Sequence, residues 1–516
     1  MLKKIIHWGT DLYLFRLVTL LIYTMYSISS LFNIESIPRA FTLVWGGILI
    51  LFEVFYARRF QQAKYWPLLA LFVVAYGITV LLNIRYQTVF MINNLFYIVQ
   101  TAVLFYPIEL DDSKDRFKIW LQRINTAFNV IVFLASLASV LLYVFNISYW
   151  IFNAGDNSWI RQGFVESRLF GVYANPNVGS IYAAAAIAML AENNVLKGRK
   201  IYQFSGWGIF NIVVQIAYIA LSASRGTLLT GMVFIGLLFV FYMIRSLMKQ
   251  FTWRRLGTLF FQGVLTLFLV VSAYAGVEKA ISYAPGITNY GYQLVTGNLA
   301  EEEENGIEGG AKASFGNIQA TTLRTVDENS EVSSGRITIW KAGLNVLKQK
   351  PLFGTGDTVF YRNRRSNETT TQIDMQKLTE LDRRELVRSR GYLHNGYVTA
   401  LVRSGIVGAA LYFLFLAAFF IYHLRFLLSK QFDMHNTWHQ LYAMIFAMLV
   451  SFLFTDLVEA HLMYNNHDVI NLIFWLNAGV LNYLNYQFVG EKYLGRWMEK
   501  RSVNQLMMNW GHQYEN

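Results

Sequence analysis

The residues with the clearest capacity for chemistry are His394 and Asn395, within the stretch GYLHNGY at 391–397. A long polar segment ends at this stretch, and an apolar segment begins at Val398 and runs to Tyr422. Because an imidazole titrates near neutral pH, it can take a proton from an attacking hydroxyl group. The position predicts acid–base chemistry at the boundary between water and a membrane.

Three arginines accompany this histidine in similar positions. Arg168 precedes an Asn-Pro-Asn turn, Arg225 lies in a tight turn between two apolar segments, and Arg336 opens an amphipathic segment. Each alone is also explained by an arginine that reaches toward lipid headgroups. Together they favour a substrate that contains a diphosphate, because guanidinium groups pair bidentately with phosphate and stay charged. We therefore take Arg168, Arg225, Arg336 and Asn395 as candidate substrate-binding residues and His394 as the candidate catalytic residue.

The composition determines which elements hold these residues. Of the 516 residues, 55% are apolar and only 15% are charged, which is typical of a polytopic membrane protein. The predicted fold class is all-α, with twelve segments long enough to cross about 30 Å of hydrocarbon. These segments lie at 14–32, 40–57, 67–83, 88–107, 121–146, 176–191, 204–222, 227–244, 257–275, 398–421, 438–457 and 469–488.

The distribution of basic residues predicts the orientation of the chain. One alternating set of connections holds 21 Lys and Arg residues, against five in the short loops of the other set. The first set is cytoplasmic by the positive-inside rule, so both termini are predicted to be cytoplasmic and the first helix to remain as an uncleaved anchor. The predicted organisation is nine spans in 1–275, an extracytoplasmic loop at 276–395, three spans in 396–488 and a cytoplasmic tail at 489–516.

The large loop has two halves of opposite charge. Residues 276–331 carry nine acidic and three basic residues, and residues 336–390 carry twelve basic and six acidic ones. The acidic half is typical of a solvated linker. In the basic half, residues 336–350 predict an amphipathic helix with Ile337, Trp340, Leu344 and Leu347 on one stripe, which either lies on the membrane surface or packs on the rest of the loop. The Gly354-Thr355-Gly356 segment that follows predicts a turn.

Several other polar residues were weighed as functional candidates. Arg16, Glu53 and Arg403 fall inside predicted spans, where charge is costly and marks a candidate site. Asp456, Glu459, His461, His467 and Asp468 could together hold a divalent ion, but their spacing matches no metal motif, so no metal site or cofactor is predicted. Ser404 and Gly408 have the spacing of close helix packing.

Composition also excludes some classes of function. The chain has no cysteine, which removes thiolate chemistry and disulfides. The net charge of +12 does not require nucleic acid as a partner, because membrane topology accounts for about half of the basic residues.

The motifs taken in order resemble a known family. His394-Asn395, followed by Gly405 and Gly408, is similar to the His-Asn-x9-Gly-x-x-Gly signature of the O-antigen ligase and polymerase superfamily of bacterial membrane glycosyltransferases. Ser224-Arg225-Gly226 before an apolar segment resembles another family segment. Two more segments, in the same order along the chain, also resemble segments of this family. They are Arg168-x-x-Gly171 before Asn175-Pro176-Asn177, and Arg336-x-x-x-Trp340 before Pro351-x-x-Gly354-x-Gly356. The resemblance covers most of the chain except its first five spans.

The resemblance implies a GT-C-like fold and a metal-independent, inverting transferase that uses undecaprenyl-diphosphate-linked glycans as donor and acceptor. His394 would act as general base toward the acceptor hydroxyl, and Arg168, Arg225 and Arg336 would bind the diphosphate. The implied location is the bacterial cytoplasmic membrane, with the chemistry on its outer face and with a flippase and a chain-length regulator as possible partner proteins.

The residues alone do not identify the acceptor substrate. A polymerase joins two lipid-linked glycans, whereas an O-antigen ligase transfers one glycan to a different acceptor. Frequent Asn and Lys and the absence of Cys suggest a low-GC Gram-positive source, which has no lipopolysaccharide acceptor, so polymerisation of capsular, exo- or O-antigen repeat units is the favoured prediction. A lipid-linked sugar transporter is the next alternative, although no internal repeat is present, and a scaffold without catalysis is the third.

Overall fold

A computed structural model describes residues 9–29, 31, 36–85, 88–110, 112–153, 158–165, 168–288, 335–357, 361–362, 369–370, 373–464 and 468–489. This part of the chain is mostly helical, as predicted. We number its longer helices in chain order: α1 Leu12–Tyr26, α2 Ser36–Phe52, α3 Trp66–Leu82, α4 Thr88–Gln100, α5 Lys114–Val144, α6 Pro176–Leu196, α7 Gly206–Ser222, α8 Arg225–Lys249, α9 Trp253–Ser282, α10 Arg336–Leu347, α11 Glu380–Arg388, α12 Gly396–Leu428, α13 Thr437–Thr455 and α14 Val469–Val489.

Each of the twelve predicted apolar segments overlaps one of these helices, although the bounds differ, as for the segment 14–32, whose helix ends at Tyr26. Among the residues that the structure describes, six helical stretches are both long and apolar enough to cross a membrane: Ala40–Ala57, Lys114–Val144, Arg225–Met248, Trp253–Thr288, Gly396–Leu428 and Thr437–Thr455. Four further apolar helices are shorter than a full span. The chain is therefore a helical protein of membrane character, while twelve crossings and their orientation stay predictions.

Polar side chains set where the key helices begin. Asn175 accepts a hydrogen bond from the backbone of Asn177 and caps α6, whose first residue is Pro176. Asn395 caps α12 in the same way, by accepting from the backbone N–H of Val398. Asparagine is a favoured N-cap and proline a favoured first residue of a helix. The Asn-Pro-Asn and His-Asn motifs thus mark helix starts.

The helices differ greatly in burial. Almost every described side chain of α14 is buried, including Trp475 and Tyr483, so this helix forms the centre of the bundle. In contrast, Leu259 is the one buried residue of α9, which otherwise exposes a series of large apolar side chains. Such a helix suits a hydrocarbon surrounding.

Helix α12 is broken, contrary to the prediction of an uninterrupted span. Gly405 has φ 65° and ψ −174°, and the segment 351–356 lies in the break. The amide of Ile406 donates to Pro351 O at 2.8 Å, and the amide of Thr355 donates to Val402 O at 2.9 Å. A Cβ atom at Gly405 would lie 2.3 Å from the carbonyl oxygen of Leu352, so only glycine fits.

The contact between residues 351–356 and α12 involves two of the motifs in the sequence, Gly354-Thr355-Gly356 and the segment around Ser404 and Gly408. The turn lies at residues 351–353, just before the predicted position, and residues 354–356 follow it as irregular backbone. The amides of Thr355 and Gly356 donate to the carbonyl oxygens of Val402 and Arg403 in α12. The predicted close packing of helices at Ser404 and Gly408 is consistent with the structure, because a Cβ atom at Gly408 would lie 3.9 Å from the side chain of Phe72 on α3. The Ser404 hydroxyl also bonds the Tyr464 hydroxyl at 2.8 Å.

The predicted loop helix exists as α10, but its buried stripe is different from the predicted one. Ile339, Ala342 and Val346 form a small core with residues of α11 and α12, whereas Ile337 and Leu344 are exposed. Of the two alternatives for this helix, packing on the rest of the loop region is therefore the one observed. Ser333, Ser334 and the acidic residues 301–304 lie outside the described part.

The all-α prediction missed a small sheet between α5 and α6. Its antiparallel strands are β1 Tyr149–Asn153, β2 Ser158–Val165 and β3 Arg168–Gly171, in the order β1-β2-β3. A second antiparallel pair joins β4 Tyr361–Arg362 to β5 Thr369–Thr370. The larger sheet matters for function because β3 begins with Arg168.

Candidate active site around Glu459

One carboxylate, that of Glu459, connects three distant parts of the chain. Glu459 lies in the loop between α13 and α14, and 8% of its side chain is exposed. Its Oε1 accepts from Nη2 of Arg336 at 2.7 Å and from Nδ2 of Asn177 at 3.0 Å. Its Oε2 lies 3.1 Å from Nδ1 of His394. The carboxylate thus fixes the starts of α6, α10 and α12 relative to one another.

Arg168 joins the same cluster through Asn177. Its Nη2 donates to Asn177 Oδ1 at 2.5 Å, and its Nε donates to the carbonyl oxygen of Ser222 at 2.9 Å. Ser222 is the last residue of α7, so the guanidinium bridges the sheet, α6 and the turn that leads into α8.

Arg225 lies at the start of α8 beside this cluster. A Cβ atom at Gly226 would lie 3.4 Å from the side chain of Val458, the residue before Glu459. Arg225 itself is exposed, and within the described residues it has no hydrogen-bond or ion-pair partner. The structure therefore brings Arg168, Arg336 and His394 together and places Arg225 next to the same loop with its donors unused.

The backbone around His394 is bound tightly to that loop. The amide of Gly396 donates to Asp456 O at 2.7 Å and to Glu459 O at 3.0 Å. The Asn395 side chain donates to Leu457 O at 2.9 Å, so Asn395 acts in the structure as a cap and an anchor. His394 has φ 49°, an uncommon conformation for a residue with a side chain. Such conformations persist where the surroundings hold them, often at functional sites.

The His394 ring has one fixed nitrogen and one open nitrogen. Nδ1 faces Glu459, and the ring stands edge-on to Tyr392 with centroids 4.4 Å apart. Within the described residues, Nε2 has no hydrogen-bond partner, and 33% of the side chain is exposed. A carboxylate at Nδ1 favours the tautomer whose Nε2 carries the lone pair. That nitrogen can accept a proton from a bound hydroxyl.

The charges of the site keep Glu459 ionised. Burial alone would raise the pKa of Glu459, but the hydrogen bond with His394 and the positive charge of Arg336 lower this pKa below its usual value. Nearby, burial raises the pKa of Asp456 to about 7, although the charge of His461 opposes it. A fixed negative charge among cations holds those cations in place.

Comparison with known proteins points to one family. Residues 210–413 match the model of the O-antigen ligase family. This match supports membership of the O-antigen ligase and polymerase superfamily. No curated protein matches the chain significantly.

The match also supports a coarse class of function. Members of this family are glycosyltransferase-like ligases and polymerases that act on lipid-linked glycans, which supports an enzyme of that general type in polysaccharide biosynthesis. The matched segment runs from α7 into α12 and includes Arg225, Arg336 and His394. Arg168, Asn177 and Glu459 lie outside this segment and join it through the contacts described above.

Sequence analysis did not identify Glu459 and Asn177 as parts of this site. Glu459 was grouped with its neighbours as a possible metal ligand, and Asn177 was seen as part of a turn. A usable signal was present, because an acid between two apolar segments must find a partner, and the nearby cations are at the same predicted face. Within the described part of the chain, no group of three or more His, Asp or Glu residues is placed to hold a metal ion, and His467 lies outside that part.

Other predicted candidates lie away from this site. Arg403 pairs with Asp357 at 3.2 Å, and Arg16 donates to the carbonyl oxygens of Leu104 and Pro107. Glu53 forms an ion pair with Arg59. His461 is different: it lies two residues after Glu459, pairs with Asp468, and its positive charge helps to lower the pKa of Glu459.

Proposed function

We propose that this chain belongs to the O-antigen ligase superfamily and polymerises undecaprenyl-diphosphate-linked oligosaccharide repeat units on the outer face of the bacterial cytoplasmic membrane. The observation that carries the proposal is the pairing of His394 and Arg336 on the two oxygens of Glu459. This arrangement sets a proton acceptor and a fixed positive charge at a defined spacing, which transfer from a diphosphate leaving group needs.

In the proposed reaction, His394 acts as the general base. Its Nε2 takes the proton of the acceptor hydroxyl as that oxygen attacks the anomeric carbon of the donor glycan. The imidazolium that forms is stabilised by Glu459, which stays ionised because its pKa is lowered.

The arginines receive the charge that develops on the other side of the anomeric carbon. As the new bond forms, the bond from that carbon to the diphosphate oxygen breaks, and the electron pair stays on the diphosphate. Arg225, which is exposed, and Arg336, which is partly exposed, lie beside the loop and would bind this anion, with Arg168 supporting them through Asn177. A single displacement of this kind inverts the anomeric centre, and it takes place here without a metal ion.

Two observations bear on the choice between a polymerase and a ligase, and they point in opposite directions. The family model is described as O-antigen ligase, which supports transfer to an acceptor such as lipid A-core. The Asn- and Lys-rich, cysteine-free composition instead favours a Gram-positive source, in which a second lipid-linked repeat unit is the available acceptor. We favour the polymerase on this ground, with a flippase and a chain-length regulator as its partner proteins.

The decisive experiment is turnover of a synthetic undecaprenyl-diphosphate repeat unit by the purified protein, with and without EDTA. We expect the wild type to form a ladder of products in both conditions and His394→Ala to form none. His435→Ala is the matched control, since His435 is an exposed histidine on another loop.

Each other result changes the conclusion. A single transfer to an added lipid A-core acceptor, without a ladder, would establish the ligase alternative. Loss of product with EDTA would contradict the metal-independent step. If neither protein forms product while both move lipid-linked glycans across vesicles, the transferase proposal fails and the transporter replaces it.

A further inference from the structure

The sheet that carries Arg168 has one open face with an unusual composition. The antiparallel register opposes Trp150 to Arg161 and Phe152 to Trp159, so these four side chains share one face of β1 and β2. Trp150 is 49% exposed, Phe152 is 40% exposed and Trp159 is 63% exposed. We call these four residues the aromatic face.

The opposite face of the same strands is fixed to the protein. Gln162 is fully buried, and its side-chain amide nitrogen Nε2 donates to Ser29 Oγ at 2.9 Å and to Tyr173 O at 3.4 Å. Because alternate residues of a strand point in opposite directions, anchoring Gln162 turns the aromatic face away from the bundle. The exposure of these large rings is therefore imposed by the fold.

The rings and the arginine form an ordered group. Phe152 and Trp159 have ring centroids 5.2 Å apart, and the Arg161 guanidinium lies 5.1 Å from the Trp150 ring centroid. Tryptophan combines an apolar body with one polar N–H, and arginine extends its charge from an apolar stem. This combination is typical of side chains at the boundary between hydrocarbon and lipid headgroups.

The position of the sheet points to the same partner. Helix α9 exposes apolar side chains along its length, among them Phe260, Phe261 and Phe268. At the end of this helical stretch the Thr288 hydroxyl donates to the carbonyl oxygen of Val144 at 2.5 Å. Val144 ends α5, and β1 begins at Tyr149. The aromatic face thus lies beside the end of a helix whose surface suits hydrocarbon.

We propose that the aromatic face of β1 and β2 is seated in the headgroup region of the bilayer. This membrane contact would affect the position of Arg168 in the candidate active site, because β2 is paired with β3 and β3 begins with Arg168. The sheet would hold Arg168 level with lipid phosphates, where the diphosphate of a lipid-linked substrate also lies. The membrane contact itself does not depend on the proposed polymerase activity.

The absence of cysteine makes this proposal directly testable. Single cysteines would be introduced as Trp159→Cys, Phe268→Cys and Val387→Cys, spin-labelled and studied in the full-length protein in nanodiscs of phosphatidylcholine and phosphatidylglycerol. Phe268, 65% exposed on α9, is the control for hydrocarbon, and Val387, 61% exposed on α11, is the control for water. Collision rates with oxygen and with a water-soluble nickel chelate report the depth of each label.

We expect the label at 159 to collide with the nickel chelate at least about twofold less often than the label at 387, and with oxygen more often, as at a membrane interface. Trp150→Cys provides an independent position on the same face if the first variant fails to fold. Nickel accessibility at both positions equal to that at 387 would overturn the proposal. A water-like signal that falls only when a saccharide is added would also overturn it and assign the face to glycan binding.

Discussion

Two groups of arginines stand at opposite ends of helix α5 and use their charge in different ways. Before the start of α5, Arg59 donates to both Glu53 and Glu109, and Arg16 donates to backbone carbonyl oxygens. Beyond the end of α5, Arg336 shares Glu459 with His394, and Arg225 has no partner among the described residues. The guanidinium groups of the first group are bound inside the protein. In the second group, the guanidinium group of Arg225 makes no hydrogen bond to the described residues.

Burial follows the same division. Arg16 is 1% exposed and the Arg59 side chain 10%, whereas the Arg336 side chain is 28% exposed and Arg225 is exposed. A buried charge must be paired to be tolerated, and removal of its partner is strongly destabilising. A partly exposed cation with spare donors costs the fold little and can bind a ligand. The comparison therefore separates structural arginines from candidate substrate-binding ones, which composition alone does not.

The largest expected effect distinguishes Arg336 from Arg59. Arg336→Ala should reduce turnover of the lipid-linked substrate by about 10²–10³-fold, as for loss of one donor to a developing anion, while Asn177 and His394 still pair with Glu459. Arg59→Ala should instead lower the free energy of unfolding by about 3–5 kcal/mol, because Glu53 stays buried without its main partner.

Turnover per folded molecule and thermal unfolding in nanodiscs measure both variants of this pair. Glu53→Gln combined with Arg59→Ala is the control, since removing both charges should recover part of the lost stability. Equal losses of activity for Arg336→Ala and Arg59→Ala would contradict the division into two groups.

A smaller effect is expected at Arg225. Arg225→Ala should lower turnover by about 10–100-fold with no change in thermal stability, because this exposed side chain has no partner to lose among the described residues. Arg225→Lys should recover only part of the activity, since an ammonium group does not pair bidentately with phosphate. Arg254→Ala, an exposed arginine at the start of α9, is the control and should leave turnover unchanged. A fall in melting temperature for Arg225→Ala would place Arg225 in the structural group.

The smallest effect concerns a histidine that should behave like the first group. Burial alone would lower the pKa of His461, but the charge and hydrogen bond of Asp468 outweigh burial and raise this pKa to about 9. An unfolded histidine has a pKa of about 6.5. The pair therefore stabilises the fold fully below about pH 6.5, and this contribution is lost as the pH rises through about 9.

The melting temperature measured from pH 6 to pH 10 tests this expectation. The wild type should lose stability across the alkaline range, and His461→Gln should be less stable at neutral pH but lose less as the pH rises. A wild-type curve that runs parallel to that of His461→Gln at all pH values would show that His461 is not charged in the folded protein.

Much of the fold was predictable because it is encoded in local patterns. Apolar segments of membrane length gave twelve helices, and Asn175, Pro176 and Asn395 marked helix starts by their capping chemistry. The break at Gly405 was not predictable, since it depends on the backbone of 351–356, which is remote in sequence. The buried stripe of α10 was misjudged for the same reason, because two amphipathic stripes were possible and α11 covers only one.

The candidate site shows the same limit. His394 and the three arginines were found because their residue types and positions at segment ends suggest chemistry. Glu459 was seen, but its role was not, because a carboxylate in a loop can hold a metal ion, pair with a cation or face solvent. Only its observed contacts with Arg336, Asn177 and His394 distinguish these possibilities.

By itself, the sequence determined the membrane character, the helical segments and the set of chemical groups, because hydropathy and side-chain chemistry are properties of short stretches. Tertiary structure alone decided which cations are saturated and which remain open, and which carboxylate joins them. Most of these outcomes depend on contacts between residues that are far apart in the sequence, such as Arg336 with Glu459 and Asn177 with Glu459, which are 123 and 282 positions apart. Hydrogen bonds require atoms within about 3.5 Å of each other, and such distances are set by the packing of whole helices.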